Sequence, residues 1–408
     1  MRAGRGVVLT AGSIVLVLVC SCGQPAPSAS PTVPMTRTVS PTIEPPTSST
    51  PSLSPGLSCP EVVHARLSEA QRVGQLFAVG LEDDRLVPSA AEEIRRYHFG
   101  SVTFIETTTA GASAIRDVTD AVQSLATRGA TAKVRFFVAA NQEGGVIQAL
   151  RGRGFSRIPT AVVQGKMAVS DLRARAFEWG EELLAAGVNL NFAPVMDVVP
   201  PGADAQNQPI GVLQRGYGPD PATVGSHGVA FLRGMDRAGV ATSAKHFPGL
   251  GRVKGNTDFA AGVVDRATTR DDPYLEPFRD AVDRGVPFVM VALATYTRID
   301  PDHLAVFSPI VIEQMLRDDL HFDGVVVSDD LGEATAVADI PPAQRAMDFL
   351  SAGGDMIVSK TVGPAVAMAR AIITRVRTDG PFRARVDEAA LRILRAKERF
   401  GLLPCSDD

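Results

Sequence analysis

Ser328-Asp329-Asp330 stands directly after the apolar run Gly324-Val325-Val326-Val327. A carboxylate at the end of a buried strand faces the cavity the strand leads into. There it can attack an electrophilic carbon such as the anomeric carbon of a sugar, splitting one hard displacement into two easier ones. The same aspartates could instead cap a following helix, a position that favours Asp. Lys245-His246-Phe247-Pro248-Gly249-Leu250-Gly251 has a related form. Its adjacent Lys and His offer donors for hydroxyl groups, and its glycines let backbone approach a ligand; a salt-bridged Lys beside a core His would look the same. Asn141-Gln142-Glu143-Gly144-Gly145 adds an amide and a carboxylate that could hold hydroxyls or tie down a turn.

Other chemistries find little support. The histidines at 64, 98, 227, 246, 303 and 321 are scattered, with no HExxH and no paired-cysteine metal pattern, so no metal site is expected. There is no G-x-S-x-G elbow. Gly249-x-Gly251 lacks the third glycine of a dinucleotide fingerprint and a GK[ST] ending. The net charge is −4 with no block of Lys or Arg, which argues against nucleic acid as a partner. Leu172, Ala176, Trp179 and Leu183 fall on one helical stripe and are expected in the core.

These groups need a frame. Short apolar runs alternate with amphipathic segments along most of the chain. The expected strands are Leu76–Leu81, Ser101–Ile105, Val134–Ala140, Asn189–Val198, Ala241–Phe247, Pro287–Ala294, Gly324–Ser328 and Asp355–Val358. Helices are expected at Ser89–Tyr97, Ser113–Leu125, Asp171–Ala186, Asp220–Ala238, Pro273–Arg284 and Ser308–Leu320. Eight such units predict an α/β fold, a single-domain (β/α)8 barrel of the TIM type. Polar residues gather at the C-terminal ends of the runs: Asn141-Gln142-Glu143, Asp197, Lys245-His246, Thr295 and Ser328-Asp329-Asp330. That edge is where such barrels place their chemistry. The amphipathic segment Arg383–Phe400 is expected to close the outer ring.

The ends of the chain read differently. Residues 1–23 have the form of an export signal, with Arg2 and Arg5 before an apolar stretch that is too short to span a bilayer. Val19-Cys20-Ser21-Cys22 resembles a bacterial lipobox with Cys22 as the acylated residue and Cys20 as the second candidate. Residues 24–58, rich in Pro, Ser and Thr, read as a disordered tether. The domain follows at 59–408. An exported protein, lipid-anchored in the cell membrane and facing the cell wall, is the expectation. The remaining cysteines, Cys59 and Cys405, then sit in an oxidising compartment and suggest a disulfide joining the two ends of the domain.

Taken together, Asn191-Phe192-Ala193-Pro194-Val195-Met196-Asp197-Val198, Lys245–Gly251, Gly324–Leu331 and Ala352-Gly353-Gly354-Asp355-Met356-Ile357 resemble the β-N-acetylglucosaminidases of glycoside hydrolase family 3, from about Leu67 to about Leu403. The resemblance implies a retaining hydrolase of terminal N-acetylglucosamine from peptidoglycan fragments, with an amino-sugar glycoside as substrate. Asp329 would be the nucleophile, while Lys245, His246 and, as nearest match, Arg215 would bind the sugar. The family's K-H-F-P-G-H-G and D-S-H appear here with Leu250 and Asn256-Thr257-Asp258, so the histidine acid/base is replaced and Asp258 is the candidate acid. Its D-Q-E-G-G-R-V-Q-R becomes Asn141 through Ala149, leaving Asn141 where a hydroxyl-binding Asp stands and Val146 and Ala149 where arginines stand. Double displacement needs no cofactor. A carbohydrate-binding lipoprotein with little or no turnover, sensing or retaining wall fragments, is the alternative.

Overall fold

The computed structural model describes residues 56–405. The signal segment, Cys22 and all but the last three residues of the tether lie outside them. The strands β1 (Phe77–Leu81), β2 (Ser101–Phe104), β3 (Phe137–Ala140), β4 (Leu190–Asn191), β5 (Ala241–Phe247), β6 (Phe288–Val291), β7 (Val325–Asp330) and β8 (Met356–Ser359) form a closed barrel. Each strand pairs in parallel with the next, and β8 closes onto β1 through Phe77 opposite Ile357. The expected (β/α)8 fold is the one observed. The strand residues are buried almost without exception, because helices cover the outside and packed side chains fill the inside.

Helix packing follows the apolar stripes. Leu172, Ala176, Trp179 and Leu183 are buried on the helix Val169–Ala185, which packs against Pro221–Arg237. Contact there is close enough that a Cβ on Gly234 would lie 2.5 Å from the Arg173 carbonyl oxygen.

Two expectations need correction. The fourth strand was expected to run to Val198, but its ladder ends at Asn191. Beyond it the chain stays beside its neighbours through single backbone bonds, Phe192 N to Ala140 O at 2.9 Å, Ser243 N to Ala193 O at 3.0 Å and Lys245 N to Pro194 O at 3.1 Å, with Pro194 having no N–H to give; Val195 then bridges Lys245. The Asn191 side chain takes over the pairing, accepting from Gln142 N at 3.0 Å and donating to Gln142 O at 3.1 Å.

The last helix, Gly380–Arg399, does not join the outer ring; it crosses the floor of the barrel. Arg385 Nη2 donates to Gly354 O at 2.7 Å before β8, Lys397 Nζ to Gly100 O at 2.8 Å before β2, and Arg399 Nη1 to Gly285 O at 2.7 Å before β6. Its stripe of Phe382, Val386, Ala389, Ala390, Ile393 and Leu394 covers strand starts that would otherwise meet water. Periodicity reveals that a face is buried, not what buries it.

Cys59 and Cys405 form the expected disulfide, Cα–Cα 6.0 Å, on this floor side. Val63, Leu67, Val134 and Leu394 pack beside it. For so long a loop the chain-entropy model sets a ceiling of about 6 kcal/mol.

Lys397 is fully buried, and its ammonium donates only to Gln75 Oε1 and Gly100 O, at 2.8 Å each. Burial pulls it down to about 7. The unfolded chain therefore binds more protons between that value and the ordinary lysine range, so this residue makes stability rise with pH across the window. Urea unfolding from pH 7 to 10 is expected to show a positive slope attributable to it, as the difference between wild type and Lys397→Met. Parallel pH dependences for the two proteins would contradict this.

Candidate active site

At the opposite end, β3 runs into Asn141 and Glu143, and the chain turns back sharply at Gly144, whose φ is +116°. A Cβ there would lie 2.2 Å from Pro159 O, so the turn requires glycine. The turn aims Glu143 inward. Its carboxylate accepts from Arg215 Nε and Nη2, both at 2.8 Å, and pairs with Lys245 Nζ at 2.6 Å. Lys245 Nζ also donates to Asn141 Oδ1 at 2.7 Å. All three charged side chains are largely shielded from solvent. Burial would push Glu143 up, but the two cations outweigh it and hold the carboxyl at about 2. Lys245 is drawn down, first by burial and then by Arg215 against the pull of Glu143, because one carboxylate here serves two cations.

His246 is oriented from behind. Its Nδ1 lies 2.8 Å from Asp197 Oδ2, and Asp197 Oδ1 accepts from the backbone N–H of His246 at 3.2 Å and of Leu250 at 2.7 Å. With Nδ1–H given to Asp197, Nε2 is left as an acceptor beside Arg215 Nη2, 3.5 Å away. Asn207 joins the loops carrying Arg215 and Leu250: its amide donates to Leu250 O at 2.7 Å and Val253 O at 2.8 Å, and its oxygen accepts from Ile210 N and Gly211 N.

The aspartates after β7 divide the two roles their sequence left open. Asp330 is buried and accepts from the backbone N–H of Gly332, Glu333 and Lys360 at 2.9, 3.1 and 3.0 Å, so it ties down the turn. Burial pushes its carboxyl up. Asp329 is half-buried, opens into the cavity, and accepts only from Asp330 N at 2.8 Å among the described residues. Asp258 meets Lys360 Nζ at 2.7 Å, and Lys360 in turn lies 3.8 Å from Asp330 Oδ2. Despite its burial, Lys360 is raised by Asp258. The Asp258 loop is pinned to the segment after β7 by Thr335, which donates through N and Oγ1 to Asp258 O at 3.2 and 3.0 Å.

Asp329, Asp258, Lys245, His246, Arg215 and Asn141 thus line one cavity of about 260 Å³ at the barrel mouth. Lys360 escaped the sequence reading; its only signal was a polar residue just past the last strand. The described residues contain no cluster of three or more groups able to hold a metal ion.

The model of the glycosyl hydrolase family 3 N-terminal domain matches residues 69–396. The chain belongs to glycosyl hydrolase family 3. Within that family it is 36% identical over 230 residues to a β-hexosaminidase of Vibrio cholerae serotype O1, covering 56% of this chain and 66% of that protein. It is 35% identical over 237 residues to one from Idiomarina loihiensis, covering 57% and 68%. The chain therefore spans about two thirds of these relatives' length. Among solved structures, the β-N-acetylhexosaminidase of Beutenbergia cavernae DSM 12333 superposes with a TM-score of 0.79 at 46% identity, over 81% of this chain and 99% of that one. A family 3 β-N-acetylglucosaminidase from Paenibacillus sp. str. FPU-7 gives 0.74 at 29% identity, over 82% of this chain and 63% of that one.

Glu143→Gln leaves two buried cations without their counter-charge, an uncompensated arrangement that costs roughly 3–5 kcal/mol. The expected outcome is a urea midpoint lowered accordingly. Because the folded Glu143 carboxyl titrates below its ordinary value, its stabilisation is complete above about pH 4.5 and lost as pH falls toward 2. The variant should lack that part of the acid limb; identical acid denaturation of both proteins would refute the role.

Proposed function

We propose that the chain is a retaining β-N-acetylhexosaminidase that hydrolyses terminal N-acetylglucosaminides through a covalent glycosyl-enzyme. One observation carries this reading. Of the four carboxylates lining the cavity, Glu143, Asp258 and Asp330 each lie within 4 Å of a cation, whereas Asp329 has none in that range among the described residues. An unpaired carboxylate beside buried hydrogen-bond donors is suited to attack an anomeric carbon.

In this scheme Arg215, Lys245, Asn141 and His246 hold the sugar hydroxyls. Asp329 attacks the anomeric carbon, the bond to the leaving oxygen breaks, and that oxygen takes a proton from Asp258. Water then attacks the anomeric carbon, giving a proton to Asp258 as the bond to the Asp329 oxygen breaks, and the sugar leaves with its configuration retained. The Lys360 ion pair suits Asp258 to the second, basic step. For the first step Asp258 must carry a proton, and Lys360 would then turn toward Asp330, its other neighbour. The same ion pair is the observation that favours the second reading, a sugar-binding protein with little turnover.

The substrate class we propose is wall-derived, and the setting is the outer face of the membrane. Support comes from the signal-like residues 1–23, the lipobox-like Cys22 and the tether 24–58. Cys59, the first residue after that tether, lies on the floor side of the barrel. No described helix is long and apolar enough to cross a membrane.

Two measurements test the chemistry. Release of nitrophenol from 4-nitrophenyl β-N-acetylglucosaminide should occur with wild type and fall to background with Asp329→Ala. Sugar binding without turnover above that variant would favour the binding-protein reading. Asp258→Asn should slow cleavage of a sugar leaving group by roughly 10²–10⁴-fold and the nitrophenyl glycoside far less, since nitrophenol needs little protonation. An equal loss on both, or none, would remove Asp258 as the acid.

A further inference from the structure

Glu143, Arg215 and Lys245 lie deep in the cavity, Asp258 and Lys360 are about a third exposed, and several apolar side chains stand around the mouth. Phe259 is 81% exposed, one residue beyond Asp258, and Val146 is 58% exposed on the turn beyond Glu143. Leu213, partly exposed and two residues before Arg215, adds a third side chain, and Ile147 a fourth. These residues come from the loops after β3, β4 and β5, and they converge on one opening. Isolated exposed apolar side chains are ordinary on a protein surface; several from separate loops around a single mouth mark a contact site.

Size and charge say what meets them. A cavity of about 260 Å³ is smaller than the usual range for a drug-sized ligand, so one sugar ring seated over Asp329 fills it. Whatever is bonded to the anomeric carbon must then lie outward, against the rim. Among the described residues that line the cavity no cation is spare; Arg151, outside that lining, donates to the carbonyls of Gly145 and Val146. Arg215 and Lys245 are engaged by Glu143, and Lys360 by Asp258 and Asp330. The lining holds three such cations against four carboxylates. An anionic leaving group would therefore approach Asp258 and Asp329 with no counter-charge to receive it.

We propose that Phe259, Val146 and Leu213 form a leaving-group subsite that selects uncharged rings presenting an apolar face and disfavours leaving groups that carry a free carboxylate. The subsite rests on the hexosaminidase reading above, and among wall-derived glycosides it favours N-acetylglucosamine linked to a muramic residue whose lactyl carboxyl is amide-bonded over one whose carboxylate is free. Phe259 supplies a flat face for stacking, and the Thr335 hydrogen bonds to Asp258 O hold the adjoining backbone. Val146 occupies the rim where a guanidinium could otherwise receive an anion.

The test compares kcat/KM for four substrates: N,N′-diacetylchitobiose, N-acetylglucosaminyl-β-1,4-N-acetylmuramic acid with its lactyl carboxylate free, 4-nitrophenyl β-N-acetylglucosaminide, and β-N-acetylglucosaminyl fluoride. Wild type is expected to prefer the neutral disaccharide over the acidic one by at least about tenfold, the scale on which apolar contacts discriminate. Phe259→Ala should lower the ratio of chitobiose to fluoride turnover by about tenfold, mainly through KM, and Val146→Arg should shift the preference toward the acidic disaccharide. Equal turnover of the two disaccharides by wild type, or a Phe259→Ala ratio unchanged from wild type, would overturn the subsite. Turnover of the fluoride and nitrophenyl glycosides separates that outcome from failure of the hydrolase reading, which predicts loss of all four.

Discussion

One carboxylate between two buried cations organises the mouth of this barrel. Arg215 and Lys245 come from different loops and would repel each other in a shielded site; Glu143 at 2.6–2.8 Å from both makes their approach possible. Such a cluster costs desolvation, so its value lies in position more than in net stability. It locks together the ends of β3 and β5 and the loop after β4. Asn141 follows because Lys245 donates to it, and the Nε2 edge of His246 follows because Arg215 lies beside it. Asp197 completes the arrangement from behind, holding His246 and the Leu250 loop with the two oxygens of one carboxylate.

The two ends of the molecule are built on different terms. The floor is closed by the Gly380–Arg399 helix, a buried lysine and a disulfide, none of which faces the cavity. The mouth is built from loops whose charges, Asp329 apart, are paired with one another, with apolar side chains standing around it. Asp329 and Asp330 state the division at the scale of two residues. One carboxylate is consumed by three backbone donors and sets the turn; its neighbour, on the opposite side of an extended chain, is left facing the cavity.

Much of this was legible in the sequence, for definite reasons. A barrel strand is buried on both faces and short, so β5 was found at its full extent and β7 and β8 within two residues. The polar clusters at strand ends marked the cavity, and all six named side chains line it. Three features could not be read. The regular ladder of the fourth strand stops at Asn191, and Pro194 beyond it withholds a donor, while the apolar pattern runs on. The final helix covers the floor, since amphipathicity names a face and not a partner. Lys360 is one of six lysines, with nothing around it in the sequence to mark a role, until folding brings it within 2.7 Å of a residue about a hundred positions away. For the same reason the sequence could nominate Asp258 as an acid without revealing that a cation sits against it.

The central claim is that the Asp329 carboxylate becomes covalently bonded to the sugar. Incubation with an activated fluorosugar analogue of N-acetylglucosamine, chosen so that the second displacement is slow, followed by proteolysis and mass spectrometry, examines that bond directly. The account predicts a glycosyl ester on the peptide containing Val325–Asp330, localised to Asp329 and absent from Asp329→Ala. An unlabelled Asp329 in an enzyme that turns the analogue over, with the released sugar inverted at its anomeric carbon, would contradict it.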